Sequence, residues 1–204
     1  MKVTRQPKNP GPAAWAKILP KAARHPTLEE DRSVDFLIIG GGFAGLTAAR
    51  RISELEPTAT VVVLEAFRLA EGPAGRNSGF MIDLPHDLAS DDYGGQAARD
   101  HQSIRHNRAA ISYAADMVDT LGLPQGCFQQ IGKINAAATD RGIAHNQGYQ
   151  QHLTYLNEPF EILDDHQMRE LTGITFYKQG LFTPGTVMLQ PAQYIQSLGS
   201  AIIS

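Results

Sequence analysis

The run VDFLIIGGGFAGLTAARRISELE, residues 34–56, constrains this chain more than any other feature. An apolar stretch meets three consecutive glycines, then continues at helical spacing until Pro57, which cannot extend a helix. A second apolar stretch, TATVVVLEA, follows at residues 58–66. Strand, glycine turn, helix and strand make a βαβ unit. The apolar residues run nearly continuously rather than alternating, which predicts a parallel sheet buried on both faces. Read instead as a membrane segment, the stretch fails, because glycines interrupt its middle and Arg50 and Arg51 end it.

Within the run, Gly40, Gly42 and Gly45 fit GxGxxG at the junction of strand and helix. Gly40 permits the tight turn, Gly42 lets a pyrophosphate approach the backbone, and Gly45 lets the helix lie close to the strand. The first-turn N–H groups, at Phe43 and Ala44, then face the phosphates. Glu65 ends the second strand, followed by Ala66. About twenty residues past the last glycine, a carboxylate there can accept both hydroxyls of an adenosine ribose and disfavours a 2′-phosphate. The set predicts a dinucleotide site and leaves NAD and FAD both open.

The segment EGPAGRNSGF, residues 71–80, bears on that choice. Gly75 and Gly79 let backbone amides approach an anion, Arg76 supplies fixed charge, and Asn77 and Ser78 supply adaptable hydrogen bonds. The segment resembles GxASGRNxG of the glycine oxidase and D-amino-acid oxidase superfamily, particularly its gamma-glutamylputrescine oxidase-like branch. The resemblance implies FAD as cofactor, with this segment lying along the pyrophosphate and approaching the flavin ring. Ala74 stands where the family has serine, so one hydroxyl contact is absent.

Looser likenesses continue downstream. Cys127 to Ala138 resembles the family's lead-in to its substrate-domain sheet. Ile162-Leu163-Asp164 with Met168-Arg169 resembles its "LD…R" helix. Gly180 through Leu198, with Pro191 and Tyr194, resembles its return to the flavin domain. The expected fold is therefore α/β, a Rossmann-type FAD-binding domain with part of an inserted α+β substrate domain. Residues 1–33 are a proline-rich arm, 34–90 the FAD-binding unit and flavin loop, 91–190 a helical segment and partial substrate domain, and 191–204 a return helix that is cut short.

Periodicity fills in the rest. A helix over Asp92 to Leu121 presents Ala97, Ile104, Ile111, Ala114, Met117, Val118 and Leu121 on one face. Residues 128–138 read as a strand, 141–156 as a polar helix, and 160–163 as a short strand. Asp164 caps a short helix. Residues 178–189 read as a strand pair around Pro184-Gly185, and Pro191 begins a helix running almost to Ser204. In the arm, Trp15, Ile18 and Leu19 are candidate anchors, with a mobile tail as the alternative.

A formal charge of -3 on mixed acids and bases offers no field for nucleic acid or an anionic membrane. The single Cys127 cannot form an internal disulfide and reads as a packing residue. No Cys/His cluster has zinc spacing, so no metal is expected, and the default compartment is a reducing, cytoplasmic one. The resemblance implies hydride transfer to flavin from the carbon beside nitrogen in a small amine or amino acid. No catalytic residue is assigned. His86 follows the flavin loop closely, although a structural role is the simpler reading for it. His101, His106, His145, His152 and His166 lack ligand spacing and are assigned to solvent. Family members are longer than this chain, so a second chain or a C-terminal half is expected to complete the fold, and the isolated chain is expected to bind FAD poorly. Two other readings stay open: an NAD-dependent dehydrogenase with an unusual insertion, and a truncated, non-catalytic cofactor-binding module.

Overall fold

The computed structural model describes residues 8, 11–21, 24–85 and 97–203. In chain order the elements are α1 (Ala14–Lys17), β1 (Phe36–Ile39), α2 (Phe43–Leu55), β2 (Val61–Leu64), β3 (Phe80–Met81), α3 (Ala97–Thr120), β4 (Phe128–Gln130), β5 (Lys133–Ala137), α4 (Asp140–Tyr155), β6 (Glu161–Leu163), α5 (Asp165–Thr172), β7 (Gln179–Thr183), β8 (Val187–Leu189) and α6 (Pro191–Ile202). They form two units. One comprises residues 1–79, 116–128 and 189–204, and the other residues 80–115 and 129–188.

The first unit is built on the βαβ motif. β1 and β2 pair in parallel, in register from Phe36↔Val61 to Ile39↔Leu64. Asp35 Oδ2 accepts the Thr60 N–H at 2.8 Å, and the Gly40 N–H donates to Leu64 O at 2.7 Å, so the ladder is tied at both ends. The core forms where α2 buries Leu46 and Ala49 and α6 buries Ala192, Tyr194, Ile195 and Leu198 at helical spacing. Pro191 opens α6 without needing a backbone donor, and the Gln190 side chain caps it by accepting the Gln193 N–H at 2.9 Å.

Burial of this sheet differs from the sequence expectation. Leu37 and Ile39 are 54% and 84% exposed. Among the described residues β1 has β2 as its one neighbour. A parallel strand needs a second neighbour and a second covering layer to bury both faces, and no described residue supplies them here.

In the second unit, β5–β7–β6 is an antiparallel sheet running from Lys133↔Thr183 to Ala137↔Gln179 on one side and from Glu161↔Phe182 to Leu163↔Gly180 on the other. Leu181 from its central strand joins Leu84, Ile104, Tyr149, Leu153 and Leu156 in one core. Asp164 caps α5 as expected, with a reciprocal bond from Gln167 that completes a capping box. A second sheet has the order β3–β8–β4, with Phe80↔Met188 and Met81↔Val187 antiparallel.

Three local expectations are corrected. Residues 128–138 are two strands, broken at Gly132, whose φ of +73° turns the chain out of the extended region. β7 and β8 flank Pro184-Gly185 but belong to different sheets, so they are not a hairpin. His152 is 8% exposed rather than solvated, because α4 turns its Tyr149/His152/Leu153 face inward. There its Nε2 lies 3.1 Å from Asp100 Oδ2. The long helix starts at Ala97 among the described residues, and residues 92–96 lie outside them. No helix among the described residues is long and apolar enough to cross a membrane.

Candidate cofactor-binding site

The turn after β1 is built by glycine geometry. Gly40 has φ +104°, a conformation L side chains rarely adopt, and nothing lies within 4 Å of where its Cβ would be. A Cβ on Gly45 would lie 1.9 Å from Gly40 O, so any side chain there would push α2 off the strand. Gly42 is the N-cap of α2, with φ −92° and ψ −169°, and brings no capping side chain. The first intrahelical bond runs from the Leu46 N–H to Gly42 O at 3.0 Å. The N–H groups of Phe43, Ala44 and Gly45 therefore have no acceptor within the helix. Ala44 is exposed at this turn, and the Phe43 ring packs against Tyr194 with centroids 5.9 Å apart.

Glu65 lies against the same turn. Its Oε2 accepts the Gly41 N–H at 2.7 Å and its Oε1 accepts the Phe67 N–H at 3.2 Å. Ala66 is exposed beside it. Gly41 was not singled out by the motif spacing, yet a Cβ there would meet Leu69 Cδ2 at 2.4 Å. The only signal for it was a third glycine with no task in GxGxxG.

The 71–80 segment closes on itself. A Cβ on Gly75 would strike Ala70 O at 2.0 Å, and Gly79 has φ +84°. Arg76 Nε donates to Glu71 O at 2.7 Å, and its NH2 donates to Gly11 O. Asn77 donates from Nδ2 to Ala74 O and accepts the Gly79 N–H on Oδ1, both at 2.8 Å. Arg76 and Asn77 thus shape the loop, while Ser78 is exposed. The Ala74 methyl lies 3.5 Å from where a Gly42 Cβ would be, so the loop and the glycine turn adjoin. His86 lies outside the described residues. Cys127 is fully buried, and desolvation pushes its thiol up to about 11, as suits a packing residue.

The second unit holds a charged cluster that no motif announced. Asp83 is 1% exposed, and its Oδ2 accepts from Arg108 NH2 at 3.0 Å. Arg108 NH2 also bonds Glu158 Oε2 at 2.5 Å. Its guanidinium is held above the usual arginine range, chiefly by the Glu158 bond. Lys133 Nζ is buried without a hydrogen-bond partner among the described residues, 5.5 Å over the Tyr149 ring, and burial pushes its pKa down.

An uncapped helix N-terminus, an open glycine turn and a carboxylate beside it fit a dinucleotide, and with the parallel βαβ frame they define a nucleotide-cofactor protein of the α/β class. The chain matches the FAD dependent oxidoreductase family (DAO) over residues 35–204 and belongs to it, so FAD is the cofactor of its family. It is 28% identical over 159 residues to the gamma-glutamylputrescine oxidoreductase of Escherichia coli, covering 76% of this chain and 36% of that protein. Its fold is similar to that of glycine oxidase from Geobacillus kaustophilus, with TM-score 0.65, 17% identity, and coverage of 84% of this chain and 44% of that one. It is also similar to L-amino acid deaminase from Proteus myxofaciens in complex with anthranilate, with TM-score 0.65, 16% identity, and coverage of 89% and 38%. The chain thus spans less than half the length of these relatives.

Proposed function

We propose that this chain carries the FAD-binding portion of an oxidoreductase that oxidises the C–N bond of an amine or amino acid. The observation that carries the reading is the bare N-terminus of α2, with Gly42 as a cap that offers no side chain and Glu65 set against the same turn. In this reading Phe43, Ala44 and Gly45 donate backbone N–H groups to the diphosphate, and Gly40 and Gly42 keep the approach clear. Glu65 and Ala66 flank the adenosine ribose, and Gly75, Arg76, Asn77, Ser78 and Gly79 border the path toward the flavin ring. When bound, FAD supplies the acceptor for a hydride from the carbon next to nitrogen. The chain's share is to hold the dinucleotide and orient it.

The substrate class rests on the gamma-glutamylputrescine oxidoreductase relative and on the folds of the glycine oxidase and amino acid deaminase. The proposal extends to the domains: residues 34–90 bind the cofactor with help from the 191–204 helix, and 91–190 form part of a substrate domain. It also extends to completion of the sheet. Leu37 and Ile39, exposed on β1, are to be covered by further polypeptide, either a continuation of this one or a second chain.

The test is Gly42→Ala. Gly42 has a backbone conformation that alanine adopts, and the new methyl would make ordinary contact with Ala74 at 3.5 Å. The fold tolerates the change, whereas a diphosphate against the backbone does not. FAD titration followed by flavin fluorescence should show weak but saturable binding to the parent chain and at least tenfold weaker binding to the variant, with the same thermal midpoint. Equal affinity in the two proteins would defeat the reading.

A further inference from the structure

The arm before the βαβ unit is attached to the segment proposed to border the flavin. Trp15 Nε1–H donates to Asn77 O at 2.9 Å, and Trp15 O accepts from Gln190 Nε2 at 3.1 Å. Arg76 reaches the other side of the arm by donating to Gly11 O. Between those attachments Ala13 is 1% exposed. Ala13, not Ile18, is the buried anchor, since Ile18 is 72% exposed. The family match begins at residue 35, downstream of these contacts.

These bonds join three parts of the first unit at one residue. Asn77 belongs to the 75–79 loop, whose turn is closed by its own side chain on Gly79. Gln190 caps α6 through Gln193 and donates its backbone N–H to Cys127 O at 3.1 Å. Trp15 therefore fastens the loop to the start of α6. The Gly79 end of the loop is held by the Leu189 N–H, which donates to Gly79 O at 2.7 Å. The bonds at Arg76 and Asn77, by contrast, lie partly in solvent, and such a stretch opens easily unless something outside it holds it.

We propose that residues 11–17 form a strap that holds the 75–79 loop in its closed form, with Trp15 as the positioning residue. The strap's effect on cofactor affinity rests on the FAD reading above, whereas its hold on the loop does not. A loop held shut before binding leaves less ordering to be done when the dinucleotide arrives, so the strap tightens binding without touching the reacting atoms.

Trp15→Phe in the full chain is the deciding variant, because it keeps an aromatic ring and deletes the indole N–H. Trypsin cleaves after Arg76 only when the loop opens. The variant should be nicked there several-fold faster than the parent at equal far-UV circular dichroism, and its FAD dissociation constant should rise about three- to tenfold, the effect of one neutral hydrogen bond. Trp15 is the sole tryptophan, so its emission reports the strap directly. Arg76→Met, which deletes the bond to Gly11 O, should move that emission to the red and increase acrylamide quenching. Unchanged nicking in Trp15→Phe, or unchanged emission in Arg76→Met, overturns the strap. If the parent chain does not bind FAD while Trp15→Phe still opens the cleavage site, the strap stands and the cofactor reading falls.

Discussion

Leu69 occupies the space that a side chain on Gly41 would need: its Cδ2 lies 2.4 Å from the ideal Cβ position, and its Cδ1 lies 2.1 Å from the corresponding point on Gly199. One leucine thus sets how closely the glycine turn and α6 approach. Gly41→Ala and Gly199→Ala should each cost about 1–3 kcal/mol through overpacking, read as a lower thermal midpoint. Leu69→Ala, destabilising alone, should recover part of that loss when combined with either substitution. Additive losses would show that the leucine is not the obstacle.

The turn, the helix and the parallel strands were legible because each is specified locally, by Gly40, Gly45, Pro57 and two apolar runs. The capping box at Asp164 was legible for the same reason, as cap and partner lie three residues apart. What the sequence hid is decided at long range. Nothing local says that Leu37 and Ile39 lack a covering layer among the described residues, or that β7 and β8 leave for separate sheets. Gly132 and Gly41 were silent because φ and a neighbour's side chain, not spacing, require glycine there. The fixed charge of Arg76 was visible in the sequence, whereas its bonds to Glu71 O and Gly11 O were not.

Arg108 is the sole cation bonded to Asp83 among the described residues, and Asp83 is 1% exposed. Arg108→Met should cost about 3 kcal/mol, the low end for stranding a buried carboxylate, since Arg108 itself is partly solvated. Adding Asp83→Asn should return part of that loss, because the second change removes the stranded charge. Urea unfolding of the two single variants and the double variant measures the coupling, and a zero coupling energy would contradict the pairing.

Cys127 is the only cysteine, and its thiol lies at about 11 against an ordinary value of 9.0. At pH 8 the native chain should react with a disulfide reagent only as fast as it opens, and one equivalent should react at once in denaturant. Prompt reaction of the native chain would show the burial to be wrong.

Lys133 and Cys127 give stability opposite slopes in alkali. Burial pushes Lys133 below its ordinary 10.5, so between the folded value and 10.5 the unfolded chain binds the extra proton, and stability rises with pH. Cys127 is raised, so its contribution is complete below 9.0 and is lost as pH climbs toward 11. Lys133→Met removes the first slope and leaves the second, while also sparing the core an ammonium that has no hydrogen-bond partner among the described residues. The variant should equal or exceed the parent in stability at pH 7, and its advantage should shrink as pH rises toward 10.5. Urea denaturation of both proteins across that range is the measurement, and an advantage that grows with pH would reverse the direction assigned to Lys133.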